Sequence, residues 1–261
     1  MTPWKSGSRR SLLVLLWAAA APTAWAQQPK LTAVGVFSLL GDSVQVVSAD
    51  DAPRDTRIEK TSRQTMDFEN IGFDMIALRA AREAINQASP GVRVEVFKSN
   101  VSMSVEDQRA IAEGAQRAEL PDWMVRTIQD KKLSHVLIVT RFRSSIDART
   151  GDGVAIGRGQ VDGIGFYMDT LYEMRNRQTG ALSSGLLAPY MNIRLTLMDT
   201  DTAEIVGSYD VKEAFAYASP EVQVVSDPWS FMPATDKVKT MREMVERGVA
   251  RGVRGALDGK R

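Results

Sequence analysis

Along most of the chain, apolar positions either alternate with polar ones or recur at helical spacing, and that pattern lays out the elements. Leu31 to Leu40 alternates and is rich in β-forming residues. Gly41-Asp42 then offers a turn, from which Ser43 to Val47 can return as the second strand of a hairpin. Ala52 to Arg63 is charged and carries Pro53, the composition of an exposed loop. From near Asn70, Ile71, Met75, Leu78, Ala81 and Ile85 fall on one helical face. Ser89-Pro90-Gly91 ends that helix, because Pro lacks the amide donor and Gly accepts positive φ.

Val92 to Phe97 alternates strictly and predicts a half-buried strand. Ser104 followed by Asp107 resembles a capping pair, opening a helix to about Leu120. Pro121 opens another, with Trp123, Met124 and Ile128 on one side and Lys131-Lys132 near its negative end. His135 to Phe142 contains four consecutive apolar residues, Val136 to Val139, as in a strand covered on both faces. Tyr190 to Met198 alternates again, Asp199 to Thr202 makes a turn, and Ile205 to Tyr217 pairs back. A last helix from about Asp236 to Leu257 can lay Val238, Met241, Met244, Gly248 and Val249 on a sheet. This order predicts an α/β domain: a layered sheet with flanking helices, a second half mostly of antiparallel hairpins, and a closing C-terminal helix.

Six of the nineteen glycines fall between Gly151 and Gly165. If Ala155 to Tyr167 is one strand, then Gly157, Gly159, Gly163, Gly165 and Tyr167 share a nearly bare face, because side chains alternate along a strand. Such a face admits close approach by a ligand, a ring or a partner chain. Gly157, Arg158, Gly159, Gly163, Gly165 and Tyr167 are therefore the candidate partner-binding residues. Glycines serving only packing or flexibility are the alternative. Gly157-Arg158-Gly159 is not a nucleotide loop, since the residues after it read as extended and no helix follows to present its amides to a phosphate.

The first 26 residues read as an export leader. Lys5, Arg9 and Arg10 precede an apolar run from Ser11 to Ala21, and Ala24-Trp25-Ala26 supplies the small residues for cleavage before Gln27. Ser8-Arg9-Arg10-Ser11-Leu12-Leu13 has a trace of a twin-arginine signal, but general secretion fits better. The run is too short to span a membrane. The expected organisation is a cleaved leader, 1–26, and a single periplasmic α/β domain, 27–261, with a Gly-rich insertion at 143–187. Cleavage removes three of 33 basic residues and none of the 32 acidic ones, turning a net charge of +1 into −2. That near-neutral balance argues against nucleic acid, whose binding draws on concentrated positive charge.

The inventory narrows the chemistry further. Without Cys there are no disulfides, thiolate metal sites, cysteine nucleophile or lipid-modified amino-terminal Cys. His135 is the only imidazole, and its place at a strand entry suits a structural role. No GxSxG elbow is present. Asp147 with Asp152, and Asp199 with Asp201 and Glu204, lack a calcium-loop pattern and fit turns better. Arg141-Phe142-Arg143 can meet an anion, although alternation at a strand end favours a solvated face. No catalytic residue, cofactor or metal is assigned.

The layout of the first half, the Val136–Val139 strand, the hairpin over 188–217 and the closing helix resembles a group of bacterial envelope accessory lipoproteins. These are the curli secretion lipoprotein and the lipoprotein activators of penicillin-binding proteins. The likeness includes the phrase Leu197-Met198-Asp199-Thr200-Asp201-Thr202-Ala203-Glu204-Ile205-Val206, a strand, an Asp-led turn and a returning strand. Ala203 replaces the family's usual Gly, and the lipidation Cys is missing. The resemblance implies a binding role for an α/β domain. The reading it supports is an exported, non-catalytic protein that binds an envelope protein or self-assembles. The alternative is an exported hydrolase acting through carboxylates that the sequence does not single out. Strands inserted in a membrane fit worse, because Arg158, Gln160 and Asp162 interrupt the face that lipid would touch.

Overall fold

A computed structural model describes residues 31–49, 61–67, 72–99, 103–113, 120–149, 155–157, 159–175, 182–217 and 227–259. The expected leader, most of the loop at 52–63, Gly151, Asp152, Gly153 and Arg158 lie outside the described residues. The elements are β1 (Ala33–Ser38), β2 (Ser43–Ala49), β3 (Thr61–Asp67), α1 (Phe73–Ala88), β4 (Arg93–Lys98), α2 (Val105–Glu113) and α3 (Asp122–Lys131). They continue as β5 (His135–Arg141), β6 (Arg143–Ser145), β7 (Ala148–Arg149), β8 (Ala155–Ile156), β9 (Gln160–Asp162), β10 (Ile164–Arg175), β11 (Leu182–Asp199), β12 (Ile205–Ala214), a 3-10 turn (Pro228–Phe231) and α4 (Ala234–Leu257). The architecture is the α/β arrangement expected: a mixed sheet with flanking helices and a closing C-terminal helix.

The 18-residue β11 is the spine of the sheet. One of its edges pairs with β12, from Tyr190↔Ala214 to Met198↔Ile205. The other is shared end to end by two strands: β10 against its first half and β5 against its second. The same division continues outward. β1 lies parallel to β5 and then to β4, while β2 lies parallel to β10 and antiparallel to β3. The sheet is thus two half-sheets that fork from one long strand.

This corrects the hairpin expected at Gly41-Asp42. β1 and β2 run in the same direction and never pair, because residues 39–42 bend the ribbon from one half-sheet to the other. Gly41 takes φ +64° at the bend. Asp74, in the first turn of α1, holds the bend through the amides of Leu40 (2.9 Å) and Gly41 (3.2 Å) and the hydroxyl of Ser38 (2.5 Å). Asp42 answers by accepting from Phe73 N at the start of that helix (3.1 Å). Bend and helix therefore cap each other.

α1 and α4 cover one face, burying Val34, Val36, Leu137, Val139, Ile193, Leu195 and Leu197 beneath Leu78, Ile85, Met241, Met244, Val249 and Val253. The helical face assigned to Met75 is corrected: Met75 is exposed, and Ile76 and Ala77 point inward instead. α4 lies close because glycines face the sheet. A Cβ on Gly248 would overlap Met191, one on Gly252 would overlap Leu195, and one on Gly207 of β12 would overlap the Ala256 carbonyl. On the opposite face, α2 and α3 cover only the β1–β5 half, through Phe37, Ile111, Met124, Leu133 and Ile138.

The other half of that face is covered by the Gly-rich segment, which departs from its expected form. Ala155 to Tyr167 is not one strand. Positive φ at Gly157 (114°), Gly159 (83°) and Gly163 (59°) breaks the extended run. The described residues between 143 and 162 form an arm in which β6 pairs with β9 and β7 with β8. The insertion is therefore narrower than 143–187, since β10 belongs to the main sheet. The arm leaves at Phe142 and returns at Gly163, where three bonds close its root: Phe142 N to Asn192 O (3.2 Å), Asn192 N to Gly163 O (2.7 Å) and Gly163 N to Phe142 O (3.1 Å). Its Ile146, Ala148 and Val161 pack on Val47, Tyr167, Leu186, Ala188 and Tyr190. Asp162 fastens it, with Arg63 at 2.9 Å and Arg143 at 3.0 Å.

Candidate functional site

The parallel strands β4, β1 and β5 end side by side. Beyond β4 the chain turns into α2 on one face, and beyond β1 it leads through β2 and β3 to α1 on the other. Chain departing to opposite faces opens a crevice at the carboxyl ends of parallel strands, the usual ligand position in α/β sheets. A cleft of about 380 Å³ occupies this position, lined by Leu39 to Ser43, Asp67, Asp74, Lys98, Met103, Gln108 and Arg141 among others. Its volume is at the lower end for small-ligand sites, roughly 300–1,000 Å³.

Arg141, the last residue of β5, sits where the half-sheets part. It is 7% exposed, which corrects the solvated face expected for Arg141-Phe142-Arg143: Phe142 is buried too, and only Arg143 reaches solvent. The stem of Arg141 lies where a side chain on Gly163 would be, 2.6 Å from the ideal Cβ position. Its backbone N–H donates to Gln108 Oε1 (2.8 Å) and Nη2 to Ser43 O (2.7 Å), joining α2, β5 and β2. Nε is buried without an acceptor, and no carboxylate among the described residues forms an ion pair with this guanidinium. Burial pulls the Arg141 pKa below its ordinary value; Asp74, Tyr190 and Asp42, at longer range, pull it back up. It stays a cation at any ordinary pH.

Two of the three acids on the lining, Asp74 and Asp42, are engaged by the fold. Asp74 accepts the three bonds of the bend, yet burial outweighs them and raises its pKa. Asp42 caps α1 through one oxygen and has Lys98 Nζ 3.5 Å from the other. The cleft thus combines a buried cation with free donors, a rim lysine, two carboxylates held in structural bonds and the exposed carboxylate of Asp67.

Five of the six candidate residues, all but Arg158, are among the described residues. Gly157 is half-buried against Ile146, and Gly159 is half-buried with its carbonyl accepting from Ile146 N (3.1 Å). Gly163, Gly165 and Tyr167 are buried; a Cβ on Gly165 would overlap the Gln45 carbonyl and lie 2.6 Å from Tyr190 Oη. At these buried positions the missing side chains make room for the protein's own atoms.

His135 has a Ser and an Asp beside it, both engaged by the backbone. Ser134 Oγ accepts from Ala33 N (3.1 Å) and donates to Ala33 O (2.9 Å), which ties it to the β1 backbone. Nδ1 lies 3.0 Å from that oxygen, and the buried Nε2, without a hydrogen-bond partner, is 3.7 Å from Asp199 Oδ2. Burial lowers the His135 pKa more than Asp199 and Asp201 raise it. Asp199 Oδ1 accepts from Asp201 N (2.8 Å) and Thr202 N (2.9 Å), the bonding of a turn. Among the described residues no three His, Asp or Glu side chains converge to hold a metal ion, and no helix is long and apolar enough to cross a membrane.

No protein-family model and no curated protein sequence matches the chain. Among solved structures it is similar to a neuraminyllactose-binding hemagglutinin homolog from Helicobacter pylori, at 9% identity and a TM-score of 0.35, covering 88% of this chain and 84% of that one. It is also similar to a Xanthomonas campestris protein of the DUF330 family, at 8% identity and a TM-score of 0.28, covering 86% and 87%. Likenesses this slight carry no weight for the function.

Proposed function

We propose that this protein is exported to the periplasm and acts there without catalysis, by binding another component of the bacterial cell envelope. The observation that carries this reading is the state of the groups in the fork cleft. Asp74, Asp42 and Gln108 are occupied by the fold's own amides, while Arg141 is a fixed cation with unused donors. Proton transfer needs a group whose pKa lies near the working pH, and a guanidinium never titrates there. Recognition needs oriented donors on a rigid frame, which this cleft has. The leader at 1–26 and the resemblance to envelope accessory lipoproteins support the location; without a lipidation Cys, any membrane attachment runs through a partner.

The test places a photo-crosslinking residue at Lys98 on the cleft rim, and in a control at Lys239 on α4, in cells secreting the full chain. An envelope component captured from Lys98 and not from Lys239 supports the reading; capture of a second copy of this chain identifies self-association as the binding event. Equal capture from both positions, or turnover of a cell-wall, sugar or ester substrate by the purified protein, overturns it.

A further inference from the structure

The fork cleft brings both signs of charge to one small space. Arg141 lies at its base, and all but one of the five N–H donors of its guanidinium lack an acceptor among the described residues. A buried cation without an ion pair is costly, and a ligand anion would remove that cost. α1 and α2 both begin at the cleft, so the positive ends of two helix dipoles add to the attraction. Against these stand Asp42, Asp67 and Asp74 on the lining, Asp74 buried in the bend and Asp67 at the exposed end of β3. A dianion would be repelled by that rim, whereas one negative charge carried beside an amine finds a partner for each end.

We infer that the fork cleft binds a small zwitterion, a free amino acid or short peptide whose carboxylate meets Arg141 and whose ammonium meets Asp67. The inference rests on the cleft being the binding site and adds the ligand's chemical class. A planar carboxylate matches the guanidinium fork through two parallel bonds, which a lysine could not supply. A volume of about 380 Å³ suits a ligand of this size with some ordered water.

Isothermal titration of the mature protein with a panel of free amino acids and dipeptides, their N-acetyl forms, their amides and inorganic phosphate tests this. Saturable binding is expected for at least one zwitterion, weakened about tenfold or more by either N-acetylation or amidation. Arg141→Lys should abolish it. Asp67→Asn, at an exposed position that folding tolerates, should weaken the zwitterion several-fold and leave its N-acetyl form unaffected or tighter. If Arg141→Lys does not fold, the Asp67→Asn comparison and ligand-induced shifts of the Arg141 side-chain NMR signals decide. Phosphate binding more tightly than every zwitterion, identical binding by Asp67→Asn, or no saturation by any panel member overturns the inference. If capture from Lys98 persists in those cases, the proposed function stands and only the ligand class fails.

Discussion

Replacing Asp74 by Ala tests what holds the fork together. The carboxylate accepts from Ser38 Oγ, Leu40 N and Gly41 N, and its removal leaves three donors without acceptors at a site where Asp74 is 3% exposed. The Leu40 amide is wholly buried; an unmet buried donor costs about 1–3 kcal/mol. The Ser38 hydroxyl can rotate and the Gly41 amide is partly accessible, so each adds about 1 kcal/mol. The sum, about 3–5 kcal/mol, is at least about a fifth of the roughly 5–15 kcal/mol that holds a domain of this kind together. Burial raises the Asp74 pKa, which sets the sign of its pH dependence. Between 3.8 and the raised value the native state holds a proton that the unfolded chain has lost, so this group's contribution declines as pH rises through that window. Urea unfolding at pH 7, followed by Trp123 and Trp229 fluorescence, measures the loss at a constant m-value. A change below about 1 kcal/mol for Asp74→Ala would show that the bend is held by packing and that the capping argument is wrong.

Three further outcomes follow from other contacts. His135 has a lowered folded pKa, so its stability contribution is complete above about pH 6.5 and falls as the unfolded state takes up the proton below it. His135→Asn should flatten the stability curve between about pH 6.5 and 5, and an unchanged slope would refute the assignment. Gly207→Ala puts a methyl group against the Ala256 carbonyl, with backbone on both sides and no flexible chain to move; melting should show a loss of about 1–3 kcal/mol. Asp162→Asn weakens the grip of Arg63 and Arg143 on the arm. The global cost should be only about 1 kcal/mol because both arginines are partly exposed, yet hydrogen exchange should quicken across 143–162 and not in α4.

The elements were legible where local periodicity governs. α1, α3 and α4 follow their apolar spacing, and β5 lies buried on both faces as its four-residue apolar run requires. The fork was not legible, for a physical reason. Gly41-Asp42 has the chemistry of a reversing turn, and whether it reverses or bends is decided by Asp74, more than thirty residues away, and Arg141, nearly a hundred away. The Gly-rich run misled in a related way: alternation holds only while φ stays negative, and three glycines at positive φ folded the expected bare face back onto the sheet.

Arg141 shows the limit most sharply, since a basic residue at a strand end is ordinarily solvated. Where two half-sheets diverge, the ladder between them opens and a backbone carbonyl such as that of Ser43 needs a donor that no neighbouring strand supplies. A long side chain with several donors can reach across such a gap from an adjacent strand, and Gly163 leaves room for its stem. The fork thus requires an arginine-like residue for its own stability, and one carbonyl uses only one of the five donors. The remaining donors, Nε among them buried, arise at the mouth of a crevice from the topology itself, which is why the proposed binding site coincides with the place where the sheet splits.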